Sequence, residues 1–178
     1  MKVCLDAGHG GKDPGACNGD LHEADAALDM VLKLGEYLNQ QGVQVIYTRD
    51  TDIYIPLGTR CKIANEAQVD CFVSVHLNAA DAKQAHGVET LKYPGSVKSE
   101  ALAKSIQNKI IAATGQTDRG LKDRPGLYVL KHTDMPAALV ETGFISNDEE
   151  AKEFLFSDKR QVIVEAIGEG ILEWLQQA

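Results

Sequence analysis

The sequence contains no apolar run near the ~20 residues that a membrane-spanning helix needs, and no internal repeat or low-complexity stretch. Its first residues lack the basic start, the apolar stretch and the cleavage site of a secretory signal. We therefore expect synthesis in the cytoplasm without a signal peptide. Acidic residues outnumber basic ones by 26 to 18, and a net charge of −8 is a poor match to nucleic acid. These absences argue against membrane insertion and against nucleic-acid binding.

The cysteines show no C-x-x-C spacing, which disfavours a structural zinc knot or a redox motif. They are Cys4, Cys17, Cys61 and Cys71. Cys4 and Cys71 fall within apolar runs that are typical of core strands, where a free thiol behaves as a small hydrophobe. We therefore expect all four thiols to be reduced.

The chain does contain a regular alternation of strand-like and helix-like segments. With 178 residues, 44% of them hydrophobic, it can bury one substantial core, and we predict one domain over residues 1–178. The patterns predict strands at residues 2–6, 43–47, 70–76, 87–93, 127–130 and 137–141. They predict helices at residues 21–41, 56–67, 97–114, 149–156 and 159–176. This alternation is typical of an α/β fold whose strands, joined by helices, run parallel. The strand at 87–93 is expected near an edge.

Three polar residues that are distant in sequence fall where such a fold would bring them together. His9 follows the first predicted strand, His76 closes the third, and Glu23 stands at the head of the first helix. Ligands of open parallel sheets bind outside the carboxyl ends of the strands, so these side chains should meet at one edge. Two imidazoles and one carboxylate are a common ligand set for a catalytic zinc, with one position left for water. The sequence therefore predicts one Zn²⁺ per chain, held by His9, Glu23 and His76.

A fourth group, Glu141, ends the last predicted strand at the same edge. An unpaired carboxylate is costly to bury at the end of an apolar strand. Taken singly, these residues have structural explanations. His9 suits a hydrogen-bonded loop, Glu23 suits the positive end of a helix dipole, and His76 suits a strand cap. The convergence of all four on one edge is what predicts a site.

Weaker candidates lie near this edge. His22 adjoins Glu23, and Cys17 is an alternative zinc ligand near His9. Asp6 is placed to support the His9 loop by a hydrogen bond. We expect two histidines at the surface and three loop residues along a substrate groove; these are His86 and His132, and Lys12, Asp13 and Arg124.

Several segments together resemble the zinc-dependent N-acetylmuramoyl-L-alanine amidases of the type 3 class. They are DAGHGG at residues 6–11, Gly15-Ala16 leading to Glu23, SVHLNA at 74–79, RGLK at 119–122, LYVL at 127–130 and PAALVETGFISN at 136–147. The segments occur in order and cover essentially the whole chain. One departure is the stretch Ala24-Asp25-Ala26-Ala27, where members of the family often carry an asparagine.

The resemblance implies a single-domain α/β fold with a mostly parallel, six-stranded twisted sheet and helices on both faces. It implies zinc held by His9, Glu23 and His76, and Glu141 as the catalytic acid. The implied reaction cleaves the amide between N-acetylmuramic acid and L-alanine in peptidoglycan. Glu141 would accept a proton from the attacking water and return it to the departing nitrogen.

Two other functions remain compatible with the residues. One is a zinc hydrolase that acts on a different acyl amide, such as a carboxypeptidase or a deacetylase. The other is a wall-binding module without catalysis, which the intact set of four residues disfavours. An amidase without a signal would reach the bacterial cell wall after release, as in host lysis by a phage endolysin or in mother-cell lysis. A wall-binding domain outside this chain would fit such a route.

Overall fold

The alternating pattern folds into one central sheet flanked by helices. The computed structural model describes residues 1–177. Within them the strands are β1 (Lys2–Ala7), β2 (Cys17–Asn18), β3 (Leu21–His22), β4 (Gln44–Tyr47), β5 (Cys71–Asn78), β6 (Val88–Lys92), β7 (Asp118–Asp123) and β8 (Ala137–Phe144). The helices are α1 (Glu23–Gln40), α2 (Leu57–Ala67), α3 (Val97–Thr114), α4 (Tyr128–Lys131), α5 (Asp148–Phe154) and α6 (Ser157–Leu175).

Six of the strands form the central sheet in the order β4-β1-β5-β8-β6-β7, and β2 pairs with β3 in a separate short hairpin. Strands β4, β1, β5 and β8 run parallel, whereas β6 is antiparallel to β8 and parallel to β7. The α/β fold with a mostly parallel, six-stranded sheet is therefore confirmed. Strands β1 and β5 are apolar over most of their length because helices cover both of their faces.

The helices divide unequally between the two faces. On one face α1, α3 and α6 pack over the sheet, with Leu34, Ile106 and Ile167 in the larger apolar cluster. The other face carries α2 and α4, whose Ala64 and Val129 belong to a smaller cluster. A fully buried Leu or Ile contributes about 1.5–3 kcal/mol, so the larger cluster carries most of the stabilisation. The smaller layer leaves part of the sheet accessible near the ends of β1 and β5.

The sixth strand is not the predicted one. The prediction of a strand at residues 127–130 is wrong, because Tyr128–Lys131 form helix α4. The sixth strand is β7, which the sequence pattern did not indicate. A four-residue apolar run cannot separate a strand from one helical turn, and β7 carries the charged residues typical of an edge strand. Because β7 pairs with the outer side of β6, the strand predicted near an edge is the second strand from that edge of the sheet.

Two boundaries differ from the prediction in ways that affect the site. Helix α1 begins at Glu23 rather than at residue 21, since Leu21–His22 pair with Cys17–Asn18. Strand β8 continues to Phe144, so Glu141 lies inside the strand and not at its end.

All four cysteines are free, and Cys4 and Cys71 are buried as predicted. Among residues 1–177, no helix combines the length and the apolar character needed to cross a membrane.

Candidate active site

His9 is held in a tight loop that follows β1. Its φ of 59° lies in the left-handed region, which residues other than glycine adopt only when the surroundings enforce it. Two buried arginines provide that enforcement. Arg49 donates from Nη2 to the carbonyl of Gly8 at 2.7 Å, and Arg60 donates from Nη2 to the carbonyl of His9 at 2.6 Å. These two hydrogen bonds fix the backbone of the loop, and the His9 ring is therefore held at the carboxyl end of β1.

His76 and Glu23 complete a cluster with His9. Glu23 Oε1 lies 3.1 Å from His9 Nε2 and 2.9 Å from His76 Nδ1. One ligand atom from each residue lies within 4.8 Å of the other two. The Glu23 side chain is 6% exposed, while those of His9 and His76 are 26% and 18% exposed. The structure thus brings the three predicted ligands together in a pocket that is open to solvent on the imidazole side.

The outer nitrogen of each imidazole also has a partner. His9 Nδ1 lies 3.0 Å from Asp13 Oδ2, and His76 Nε2 lies 3.1 Å from Ser74 Oγ. An imidazole that donates from one nitrogen presents the lone pair of the other, so both rings are set to offer an acceptor nitrogen to the cluster. Glu23 is oriented in the same way, because the backbone N–H of Ala16 donates to its Oε2 at 3.0 Å.

Asp6 connects the supports of both histidines. Its carboxylate, 1% exposed, accepts a hydrogen bond from Ser74 Oγ at 2.6 Å and one from Arg60 Nη1 at 2.8 Å. Ser74 contacts the ring of His76, and Arg60 contacts the carbonyl of His9. The predicted support of the His9 loop by Asp6 is therefore present, although it acts through Arg60.

Sequence reasoning missed the residues that provide this support, namely Arg49, Arg60 and Ser74. One signal was available for Arg49, which follows β4 at the same edge of the sheet as His9. Ser74 shares a face of β5 with His76, two residues away. Arg60 lies in the first turn of α2, and nothing in its sequence context indicates that it is buried.

Two glycines leave the space that the cluster needs. A Cβ at Gly8 would lie 2.3 Å from the ring of His76, and a Cβ at Gly15 would lie 2.7 Å from Glu23 Oε2. Gly15 also has a φ of +66°, which favours glycine. Any side chain at either position would displace the rings or the carboxylate.

The charges of the cluster depend strongly on one another. Burial acts to raise the pKa of Glu23, but hydrogen bonds from His76 and His9 outweigh burial and hold that pKa well below its usual range. The hydrogen bond to Glu23 raises the pKa of His9 to about 9. Burial acts to lower the pKa of His76, and the bond to Glu23 with the nearby charge of Glu141 more than compensates. Without a metal the cluster therefore retains protons, which a bound cation must displace.

Glu141 lies beside this cluster on the neighbouring strand. It is paired in register with His76 across β5 and β8. Its Oε2 is buried and has no hydrogen-bond partner within residues 1–177. Burial is the main reason why the pKa of Glu141 is raised to about 7; the charge of His76 acts to lower this pKa, and the nearby carboxylates of Glu23 and Glu89 act to raise it. A carboxyl group with these properties can gain or lose a proton near neutral pH.

The alternative ligands lie outside the cluster. His22 is exposed and pairs with Asp25, and Cys17 is exposed with its Sγ directed to the carbonyl of Gly15. His86 and His132 are at the surface, as predicted.

A groove of about 310 Å³ leads to the cluster along the α2 and α4 side of the sheet. His9 and His76 lie at its floor. Its rim carries Tyr54, Leu57 and Tyr128, which are 42%, 53% and 43% exposed. Of the three loop residues expected along a groove, Asp13 lines it, whereas Lys12 and Arg124 do not.

The chain matches the family model described as N-acetylmuramoyl-L-alanine amidase over residues 3–173. It is 32% identical, over 98% of its length, to the germination-specific N-acetylmuramoyl-L-alanine amidase of Bacillus subtilis. It is 38% identical, over 97% of its length, to the endolysin of Bacillus phage SPP1. The chain spans 80% of the first relative and 65% of the second.

A solved structure shows the same fold. N-acetylmuramoyl-L-alanine amidase AmiC2 of Nostoc punctiforme superimposes with a TM-score of 0.94 at 35% sequence identity. The match covers 99% of this chain and 97% of that structure. The likeness therefore extends over nearly the whole chain.

Proposed function

The chain belongs to the N-acetylmuramoyl-L-alanine amidase family, and we propose that it hydrolyses the amide between N-acetylmuramic acid and L-alanine in peptidoglycan. The observation that carries this proposal is the His9–Glu23–His76 cluster with the buried Glu141 beside it. An amide is a poor electrophile and water is a poor nucleophile at neutral pH. A hydrolase must therefore activate the water and protonate the leaving nitrogen, and this edge of the sheet offers groups for both tasks.

The residues of the cluster fit Zn²⁺. Two imidazole nitrogens and one carboxylate oxygen within 4.8 Å of one another match the ligand types that zinc prefers in hydrolases. Gly8 and Gly15 keep the space beside these atoms free of side chains. We propose that His9 Nε2, His76 Nδ1 and Glu23 hold one zinc ion per chain. When bound, zinc supplies Lewis-acid chemistry, since it lowers the pKa of a water molecule and polarises a carbonyl group.

Glu141 is proposed to carry the proton. In its ionised form it accepts a proton from the attacking water, and it then donates that proton to the departing L-alanine nitrogen. Its Oε2 is suited to this exchange because no hydrogen bond to the described residues has to break first. Burial raises the pKa of Glu141 above the ordinary carboxyl value, which favours the return of the proton to the leaving nitrogen, and a bound cation nearby favours the ionised form.

We propose the bacterial cell wall as the place of action, in keeping with the relatives, whose names are those of a germination amidase and an endolysin. Release by lysis and a wall-binding domain outside this chain stay predictions from the sequence.

Mass spectrometry of the soluble products from purified peptidoglycan tests the proposal. The digestion is run with the protein as purified, after chelation, and after zinc is added back. We expect free stem peptides that begin with an unblocked L-alanine, lost on chelation and restored by zinc. Cleavage at a different amide would replace this function with that of another zinc hydrolase. Activity that survives complete removal of the metal would contradict the role of zinc.

A further inference from the structure

Arg119 lies outside the metal cluster but at the same edge of the sheet. A row of paired residues crosses the sheet there, with His76 beside Glu141 and Glu141 beside Glu89 of β6. Arg119, from β7, joins the end of this row, because its Nε donates to Glu89 Oε2 at 3.1 Å. Paired residues on adjacent strands point to the same face of a sheet. The row therefore runs along one face from the proposed zinc site to the guanidinium group.

The guanidinium group is fixed on one side and open on the other. Glu89 is 5% exposed and is itself held, since Asn78 Nδ2 donates to its Oε1 at 3.1 Å. The guanidinium carbon lies 4.8 Å above the ring of Phe144, and Nη1 makes only a 3.5 Å contact with the carbonyl of His86. Nη2 has no hydrogen-bond partner in the part of the chain that the structure describes. The side chain is 37% exposed, so these donors can reach a ligand.

A planar guanidinium held in this way is suited to a carboxylate. Its free edge offers parallel N–H donors that match the two oxygens of a carboxylate, which a lysine ammonium does not. Phe144 and Glu89 fix the plane in advance, so little side-chain entropy is lost on binding. The carbonyl groups of a sugar or a peptide bond would use only one of these donors.

The position of Arg119 matches one carboxylate of the substrate. Adjacent strands are about 4.8 Å apart, so β7 lies roughly 10 Å from β8, and the Arg119 side chain reaches back toward Glu89. In an extended peptide each residue spans about 3.5 Å, so the second residue of the stem extends from about 3.5 to about 7 Å from the nitrogen that is released. That residue carries a carboxylate, which is either free or converted to an amide in different walls.

We propose that Arg119 binds the free carboxylate of the second stem residue and thereby selects non-amidated peptide stems. The proposal rests on the proposed amidase function and deepens it by naming a residue that determines specificity. The stem then lies over β8, β6 and β7, and the glycan lies on the side of the groove rimmed by Tyr54 and Tyr128.

Two matched synthetic substrates test this inference. Both are muramoyl peptides of the same length, and they differ only in a carboxylate or a carboxamide on the second stem residue. The values of kcat and KM are measured with zinc-loaded wild type, Arg119→Gln and Arg119→Lys. Lys104→Gln serves as the control, because it removes one positive charge from an exposed position on α3. Since both substrates meet the same Glu141, changes at the reacting groups cancel in the ratio of the two kcat/KM values.

We expect the wild type and Lys104→Gln to prefer the carboxylate substrate by about tenfold or more, mainly through KM, as is typical of a charged hydrogen bond. In Arg119→Gln this preference should fall toward one, and in Arg119→Lys it should be intermediate. If Arg119 only ties β7 to β6, Arg119→Gln will lower the unfolding free energy and leave the preference unchanged, which would overturn the inference. Equal use of both substrates by the wild type would also overturn it. Failure of the zinc-loaded wild type to cleave either substrate would instead contradict the proposed function, and this inference with it.

Discussion

The His9–Glu23–His76 cluster and Glu141 lie side by side at one edge of the sheet, yet their polar atoms differ in how fully they are hydrogen-bonded. In the cluster both nitrogens of His9 and of His76 have partners, and Glu23 accepts from an imidazole and from the backbone. Glu141, which is paired with His76 on the neighbouring strand, has a buried oxygen, Oε2, with no hydrogen-bond partner within residues 1–177. The groups proposed to hold an ion are thus fixed by hydrogen bonds. The group proposed to exchange a proton has a free oxygen, at a cost in desolvation.

The largest effect expected from this comparison is that of Glu141→Gln. The variant keeps the shape of the side chain but cannot accept a proton, so kcat should fall by about 10²–10⁴. Zinc should still bind at one ion per chain, because Glu141 does not belong to the ligand cluster. Turnover on a defined muramoyl peptide and metal analysis of the same sample check both expectations. Near-normal turnover would remove Glu141 from the role of proton carrier.

A smaller effect is expected from Ser74→Ala, which breaks the support of one ligand. Loss of Ser74 Oγ leaves His76 Nε2 without its hydrogen-bond acceptor, and the zinc affinity should fall by about 10–100-fold. Thr48→Val is the matched control, since it also removes a hydrogen bond to Asp6 but does not contact a histidine. Competition with a chelator of known affinity measures both variants. Equal losses of affinity in the two would show that Asp6, rather than the ring contact, is what matters.

The fall of kcat at acidic pH tests whether Glu141 acts as the proton acceptor. Glu141 must be ionised to accept a proton, so kcat should fall about tenfold per pH unit below its pKa. That pKa is raised to about 7 in the metal-free protein, and a bound cation nearby lowers it. The fall should therefore lie between the ordinary value of about 4.5 and 7. A profile of kcat that stays flat down to pH 4 would contradict the assignment.

The smallest effect is expected from Cys17→Ser. Cys17 is exposed and directs its Sγ to a backbone carbonyl instead of the cluster. Zinc affinity and kcat should each change by less than about twofold, as is usual for surface substitutions. The same chelator competition measures this. A tenfold loss of affinity would restore Cys17 as a ligand.

The sequence was sufficient to predict which polar side chains meet at this edge of the sheet. His9, Glu23 and His76 were placed together because the carboxyl ends of parallel strands meet at one edge, and the structure has them within hydrogen-bonding distance. The network beneath them was not predictable in the same way. Arg60 reaches Asp6 across 54 residues, and no local period reports such a contact.

The errors in the fold have a related cause. Strand β7 is recognisable only through its pairing with β6, because its own residues alternate weakly and carry charge. Helix α4 is a single turn, whose apolar residues fit a strand equally well until α2 is known to pack against it. Both depend on tertiary contacts that sequence patterns do not encode.

Zinc titration of Glu23→Gln beside Glu141→Gln tests the division between fixed ligands and a free proton carrier most directly. We predict that Glu141→Gln binds one zinc per chain with the affinity of the wild type. We also predict that Glu23→Gln loses more affinity than the roughly 10–100-fold expected from a supporting residue. Wild-type affinity in Glu23→Gln, or loss of zinc from Glu141→Gln, would contradict this division.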